Sequence, residues 1–262
     1  MESTLLLGLA AGYHYGDVRP FAASLEQSGF RGDCVLFITP TTRGADRIAA
    51  HGVTTVPFER PAEKAHIPYN AWRYVLYRDW LANAPRRYSR ILLTDVRDVI
   101  FQADPMAYAW GPGVNVTLED ACTSVGTCPY MTKWVTGHLG DAAWRAMAQC
   151  RVSCSGTTVA AHGPMLDYLD RMIAHLKGYV PQKGMAGYDQ GVHNHLLHTG
   201  QLPEVTCHDN SGPILTLAMK PSAPAIDAEG RILNDNGDPA VIVHQYDRKP
   251  DLFATLRQRY AQ

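Results

Sequence analysis

Short apolar runs alternate with longer stretches of mixed character along the first half of the chain. TLLLGLA (residues 4–10) and DCVLFIT (33–39) are short and almost uniformly apolar, which predicts buried strands. Between them, VRPFAASLEQSG (18–29) follows Asp17 as an N-cap, carries Pro20 in its first turn and ends near Gly29, which predicts a helix. RGADRIAAHG (43–52) and VTTVPFE (53–59) repeat the pair as a second helix and a third strand. In PYNAWRYVLYRDWLANAP (68–85), Trp72, Val75, Leu76, Trp80 and Leu81 make a helical stripe, with Arg73 and Tyr77 four apart on another face. RILLTDVRDVIFQADP (90–105) predicts one buried strand whose apolar run is cut by acidic residues.

The second half is less regular. GVNVTLED (113–120), VSCSGTTVA (152–160), EVTCHD (204–209), GPILTLAM (212–219) and PAVIVHQYD (239–247) predict strands. PMLDYLDRMIAHLKG (164–178) and DQGVHNHLLHTG (189–200) predict helices, and Asn236-Gly237 marks a tight turn. Strands separated by crossover helices predict an α/β fold with a mixed, mostly parallel sheet. A length of 262 residues without repeat, low-complexity tract or linker suits a single domain.

Lys and Arg number 24 against 25 Asp and Glu, a net charge of -1. That excludes the basic footprint by which a general nucleic-acid binder displaces counterions, so an anionic ligand must be met locally by a few cations or a metal. Cys34, Cys122, Cys128, Cys150, Cys154 and Cys207 contain no C-x-x-C pair and predict reduced, mostly buried thiols. The opening MESTLLLGLAAGYHYG is too short an apolar run to cross a membrane and lacks the basic start of a signal peptide. The expectation is a cytoplasmic protein, with peripheral attachment at the inner membrane face left open.

In open α/β sheets ligands bind beyond the carboxyl ends of strands, and ILLTDVRDV puts Asp95 and Asp98 where an apolar strand runs out. Carboxylate oxygens are hard ligands that suit Mg²⁺ or Mn²⁺. Spacing alone allows a plainer reading, a turn cap and an ion pair with Arg97 or Arg90. Gly156 in VSCSGTTVAAHG lets the backbone approach a ligand closely, or simply ends a tight strand. Asp189 opens a helix, where the dipole favours its ionised form, and alone it reads as a cap. His193, His195 and His198 lack the H-x-x-x-H spacing and third ligand of a zinc site, and read as neutral histidines. His244 ends a strong β run, either as a core residue or as a ligand beside carboxylates. Arg73 and Arg78 carry guanidinium forks suited to phosphates, though long cations on a helix are commonly solvated.

The phrase LLTDVRDVIFQADP resembles the metal-binding segment of GT-A fold, nucleotide-sugar-dependent glycosyltransferases, in which a hydrophobic strand delivers a D-x-D motif. Here the spacing is D-x-x-D. VSCSGTTVAAHG resembles the strand and small-residue turn that pass under the donor sugar, with Cys154 where many members carry a polar side chain. GYDQGVHNHLLHTG resembles the acidic helix start near the reacting centre, and His244 matches a late histidine that completes the metal shell. By element order the resemblance covers nearly the whole chain.

The resemblance implies a Rossmann-like GT-A fold in which residues 1–110 take the nucleotide and residues 111–262 the acceptor and the chemistry. It implies Mn²⁺ or Mg²⁺ held by Asp98, Asp95 and His244. Donor contacts fall to Asp95, Arg73, Arg78, Ser155, Gly156, Arg248 and Lys249, and Asp189 and Gln190 stand at the reacting centre. The implied reaction moves a glycosyl group from a nucleoside-diphosphate sugar to a hydroxyl of a glycan, lipid-linked or small-molecule acceptor. Retention of configuration is favoured; in an inverting course Asp189 is the candidate base. Three other readings compete. A sugar nucleotidyltransferase is echoed by GLAAGYHYGDVRPF, which lacks the tight G-x-G run. A phosphatase with an aspartyl nucleophile wants its acids two apart. A sugar-nucleotide- or glycan-binding protein without turnover is the third.

Overall fold

The computed structural model describes residues 3–261. Its strands are β1 (Thr4–Leu9), β2 (Asp33–Ile38), β3 (Thr54–Pro57), β4 (Arg90–Thr94), β5 (Val99–Phe101), β6 (Val114–Leu118), β7 (Ser153–Ala160), β8 (Val205–His208), β9 (Ile214–Thr216) and β10 (Ile242–His244). Its helices are α1 (Tyr15–Gln27), α2 (Ala45–Ala49), α3 (Tyr69–Ala82), α4 (Pro129–Leu139), α5 (Asp141–Met147), α6 (His162–Leu176), α7 (Tyr188–His198) and α8 (Pro250–Arg259).

Seven strands form one sheet in the order β3-β2-β1-β4-β7-β6-β8, in which β7 runs against the rest. The architecture is the expected α/β one, a mixed, mostly parallel, Rossmann-like sheet between helices. Leu5, Leu6 and Leu7 of central β1 are all fully buried, because alternate side chains point to opposite faces and both faces are covered. Leu5 and Leu7 pack under α3, α6 and α7, whereas Leu6 packs under α1 and α2.

The segment expected to be one strand over residues 90–105 divides. β4 ends at Thr94, and after Asp95–Asp98 the chain re-enters as β5 in a separate three-stranded sheet, β5-β10-β9. Extending central β4 through Asp95 and Asp98 would carry carboxylates into an apolar core, so the chain changes sheet where they occur. Its position in α1 also changes the expected role of Asp17. It lies in the first turn rather than before it, and its Oδ2 accepts from the His14 N–H at 3.2 Å.

In α3 the buried face is Ala71, Arg73, Tyr74, Tyr77 and Leu81, and the expected stripe of Trp72, Val75, Leu76 and Trp80 is half-buried. The Asn236-Gly237 turn forms as expected, with Gly237 at φ 87° and its N–H bonded to Asn234 O. The described cysteines are all free; Cys34, Cys128 and Cys154 are buried, Cys150 is half-buried, and Cys122 and Cys207 are exposed. Among the described residues no helix is long and apolar enough to cross a membrane.

Candidate metal centre

Three backbone events bring the acidic pair together with His244. β4 delivers Asp95 at its carboxyl end. Asp98 immediately precedes β5, which pairs antiparallel with β10 so that His244 stands opposite Val99. β7 lies antiparallel to β4 with Thr157 opposite Thr94, which sets Gly156 beside Asp95; the Asp95 N–H donates to Gly156 O at 2.7 Å. The pairing of β7 with β6 shifts between Val116–Thr158 and Thr117–Cys154, a local irregularity that includes Ser155 and Gly156.

One ligand atom from each of Asp95, Asp98 and His244 lies within 4.8 Å of the others. His244 is fully buried, its Nδ1 meets Cys154 Sγ at 3.7 Å, and its Nε2 is buried without a hydrogen-bond partner among the described residues. That Nε2 lies 3.4 Å from Asp95 Oδ2, an ion pair when the imidazole is protonated but not a hydrogen bond by geometry. A buried nitrogen facing two carboxylates fits a divalent cation, which gives the nitrogen and the oxygens one common partner. Cys154 thus sits behind the imidazole.

Charge in the neighbourhood is uneven. Burial, opposed by His244 and reinforced by Asp95, pushes the Asp98 carboxyl up to about 6. Burial acts the same way on Asp95, but Arg73 and His244 outweigh it and hold that carboxyl below the usual carboxylate range. Burial opposes charge on His244, yet Cys154, Asp95 and Asp98 raise its pKa well above the ordinary imidazole value.

Arg73 explains the inverted face of α3. Its guanidinium pairs with Asp95 Oδ1, and its Nη2 donates to Asp189 Oδ2 at 3.1 Å and to Ser155 O at 3.4 Å. An arginine this deep is tolerable because two carboxylates and a carbonyl meet its donors. Asp189 is 2% exposed, and Ser155 Oγ (3.3 Å) and the Tyr74 hydroxyl (3.5 Å) also donate to its Oδ2. Burial, against the pull of Arg73, pushes Asp189 up to about 6, a shift the helix-start reading does not contain. With this carboxylate enclosed, Asp189 acts on the site by holding Arg73.

Two clefts flank the cluster. The first, about 340 Å³, opens at the carboxyl end of β1 and is lined by Tyr13, Tyr69, Arg73, Asp95, Asp98 and Arg248 among others. The second, about 420 Å³, is lined by Glu119, Tyr130, Trp134, Gln190, Gln245 and Arg248 among others. Arg248 therefore borders both.

Two expected donor contacts lie elsewhere. Arg78, five residues past Arg73, faces the neighbouring helix and pairs with Asp170 of α6 at 2.8 Å. Lys249 donates its ammonium to Lys220 O. Gln190 reaches the second cleft, with Nε2 3.2 Å from Glu119 Oε1. His193 bonds Ser153 and Tyr168 in the core, His195 bonds Gln201, and His198 bonds Arg151 O, so all three are structural as expected.

Glu119, Tyr130, Trp134 and Gln245 were not marked by the sequence pattern. Glu119 ends a strand in the same manner as Asp95, which is the signal that would have found it. Comparison with known protein families and with curated proteins finds no match for this chain.

Proposed function

We propose that the chain is a divalent-metal-dependent glycosyltransferase that moves a sugar from a nucleoside-diphosphate donor to an acceptor hydroxyl. One observation carries this reading: Asp95, Asp98 and His244 cluster at the carboxyl edge of the sheet, between two clefts that share Arg248. Mn²⁺ or Mg²⁺ held by these three residues would supply positive charge against the diphosphate. The first cleft takes the nucleotide and the second the acceptor, in keeping with the division near residue 110.

The protein's own groups do the remaining work. Arg248, exposed between the clefts and paired only loosely with Asp247 at 3.7 Å, can turn its guanidinium fork to the leaving diphosphate. Gly156 leaves room beneath the reacting sugar, Ser155 steadies Asp189, and Arg73 fixes Asp95 Oδ1 so that Oδ2 stays toward His244. Pre-set ligands of this kind lower the reorganisation that catalysis would otherwise require.

A sugar nucleotidyltransferase is less well supported. Its N-terminal loop would cradle phosphates with backbone N–H groups, but here those groups are engaged internally. The Gly12 N–H bonds Thr39 Oγ1 at 2.9 Å, Ala10 bonds Phe37 O, Tyr15 bonds Arg43 O and His14 bonds Asp17. The test is a panel of nucleoside-diphosphate sugars with Mn²⁺, following release of nucleoside diphosphate by the wild type and by Asp98→Ala. Metal-dependent release abolished in Asp98→Ala is expected; no metal-dependent binding or release across the panel would sink the reading.

A further inference from the structure

Resting on the transferase reading, we infer that the second cleft takes a carbohydrate as acceptor, with a sugar ring against Tyr130 and its hydroxyls met by Glu119 and Gln245. The aromatic wall comes first. Tyr130, at the start of α4, is 64% exposed, and its ring lies 5.9 Å from that of Trp134, tilted by 35°. The wall of this cleft is mostly apolar, with Tyr130, Trp134, Ala218 and Met219 in it, and a ligand that covers this surface is favoured by its removal from water.

The Trp134 side of the wall is held in place. Trp134 Nε1 donates to Gly184 O at 2.9 Å, and the backbone of Gly187 passes so close that a Cβ there would stand 2.5 Å from Cζ2. Side chains held before binding lose little freedom when a ligand arrives.

Opposite functional demands are met by two polar groups. Glu119 is 3% exposed; its Oε1 accepts from Gln190, and its Oε2 has no protein donor among the described residues. Gln245 is the described non-glycine residue with positive φ, at 59°, and its N–H bonds Asp98 O at 2.8 Å. A backbone so constrained next to His244 marks a side chain whose aim matters. Its Oε1 accepts from Thr216 Oγ1 at 2.6 Å and from the Ala218 N–H at 3.3 Å, which fixes the amide and leaves Nε2 without a protein acceptor among the described residues.

A carboxylate acceptor, an amide donor and an aromatic face together match a pyranose, whose hydroxyls donate and accept while one face carries C–H groups. An acyl chain would desolvate Glu119 without replacing its hydrogen bonds. A peptide strand would need an open backbone edge, and the groups named are side chains. Arg248 at the border sets the ring beside the donor phosphates.

The test is saturation-transfer NMR on metal-free, donor-free protein with methyl glycosides of several hexoses, with octanol and a serine peptide alongside. At least one glycoside is expected to bind through its ring C–H groups. Tyr130→Ala should weaken that binding about tenfold, and Glu119→Gln should weaken it too, both with unchanged melting and Mn²⁺ affinity. The inference falls if no glycoside binds, if Tyr130→Ala binds as the wild type does, or if octanol or peptide displaces the glycoside. Diphosphate release without glycoside binding sinks the acceptor assignment alone; glycoside binding without any metal-dependent release sinks the transferase reading instead.

Discussion

Gly156→Ala is expected to cost the protein its Mn²⁺ affinity while leaving it folded. A Cβ on this backbone stands 2.6 Å from Asp95 Oδ2 and 2.8 Å from His244 Nε2, and closer still to His244 Cε1. Ordinary contact begins at 3.4 Å, so the oxygen must retreat by about 0.8 Å and the nitrogen by about 0.6 Å, whereas metal–ligand distances tolerate about 0.2 Å. His244 is fully buried and Asp95 is tied to Arg73, so neither side chain can swing away without breaking other contacts. Affinity should fall by about 10- to 100-fold, and overpacking should cost about 1–3 kcal/mol of stability. Gly163→Ala in α6 is the control: a Cβ there meets nothing nearer than Arg87 Nη2 at 3.8 Å, so affinity stays and stability rises by about 0.5–1 kcal/mol. Calorimetric Mn²⁺ titration near neutral pH and thermal melting read both variants. A folded Gly156→Ala protein that binds Mn²⁺ like the wild type would refute the reasoning.

His244→Ala should weaken Mn²⁺ binding by about tenfold or more; an unchanged titration removes the imidazole from the shell. His193, whose pKa burial lowers to about 3, stays neutral in the fold but charges in the unfolded chain below pH ~6.5. Its contribution is therefore present above that pH and lost as pH falls, by about 1.4 kcal/mol per unit and about 2 kcal/mol by pH ~5. Asp98 and Asp189, raised to about 6, contribute with the opposite sign in both proteins, so the readout is the difference: between pH ~6.5 and ~5 His193→Gln should lose about 2 kcal/mol less than the wild type in denaturant melts, and equal changes in the two would exclude His193 as a source. Arg73→Gln strands two carboxylates and should cost about 3–5 kcal/mol, with Asp189→Asn in the same chain recovering about 1–3 kcal/mol. Strictly additive losses in the double variant would show that the pair is not coupled.

The sheet was legible because β1, β2 and β4 carry uninterrupted apolar runs, and buried parallel strands have few other ways to be written. The helix α4 was missed although Met131 and Val135 recur at helical spacing, since a single turn of pattern within residues 121–151 does not stand out from loop composition. Arg73 was legible as a cation and not as a core residue. Hydrophobic periodicity assigns faces by counting apolar side chains, and it placed Trp72 and Trp80 inward. The deciding contacts are with Asp95 and Asp189, 22 and 116 residues away, which no local pattern contains. Glu119 and Gln245 were hidden for the same reason, because a polar residue at a strand end acquires its role only from what lies across the cleft.

Charge ties these long-range contacts to the metal cluster. Asp95, Asp98 and Asp189 bring three carboxylates to one neighbourhood, and Arg73 offsets one of them, leaving two negative charges. Arg97, the residue between the paired aspartates, does not supply the balance, because its guanidinium is paired with Asp247. Protonation relieves part of the excess, as the upward shifts of Asp98 and His244 indicate. A divalent cation would relieve all of it and would give His244 Nε2, which has no hydrogen-bond partner among the described residues, a ligand role. The buried arginine and the acidic pair are therefore parts of one arrangement. Arg73 offsets charge on the carboxylates the core cannot leave bare, and the residual charge at Asp95 and Asp98 faces the first cleft, which is open to solvent.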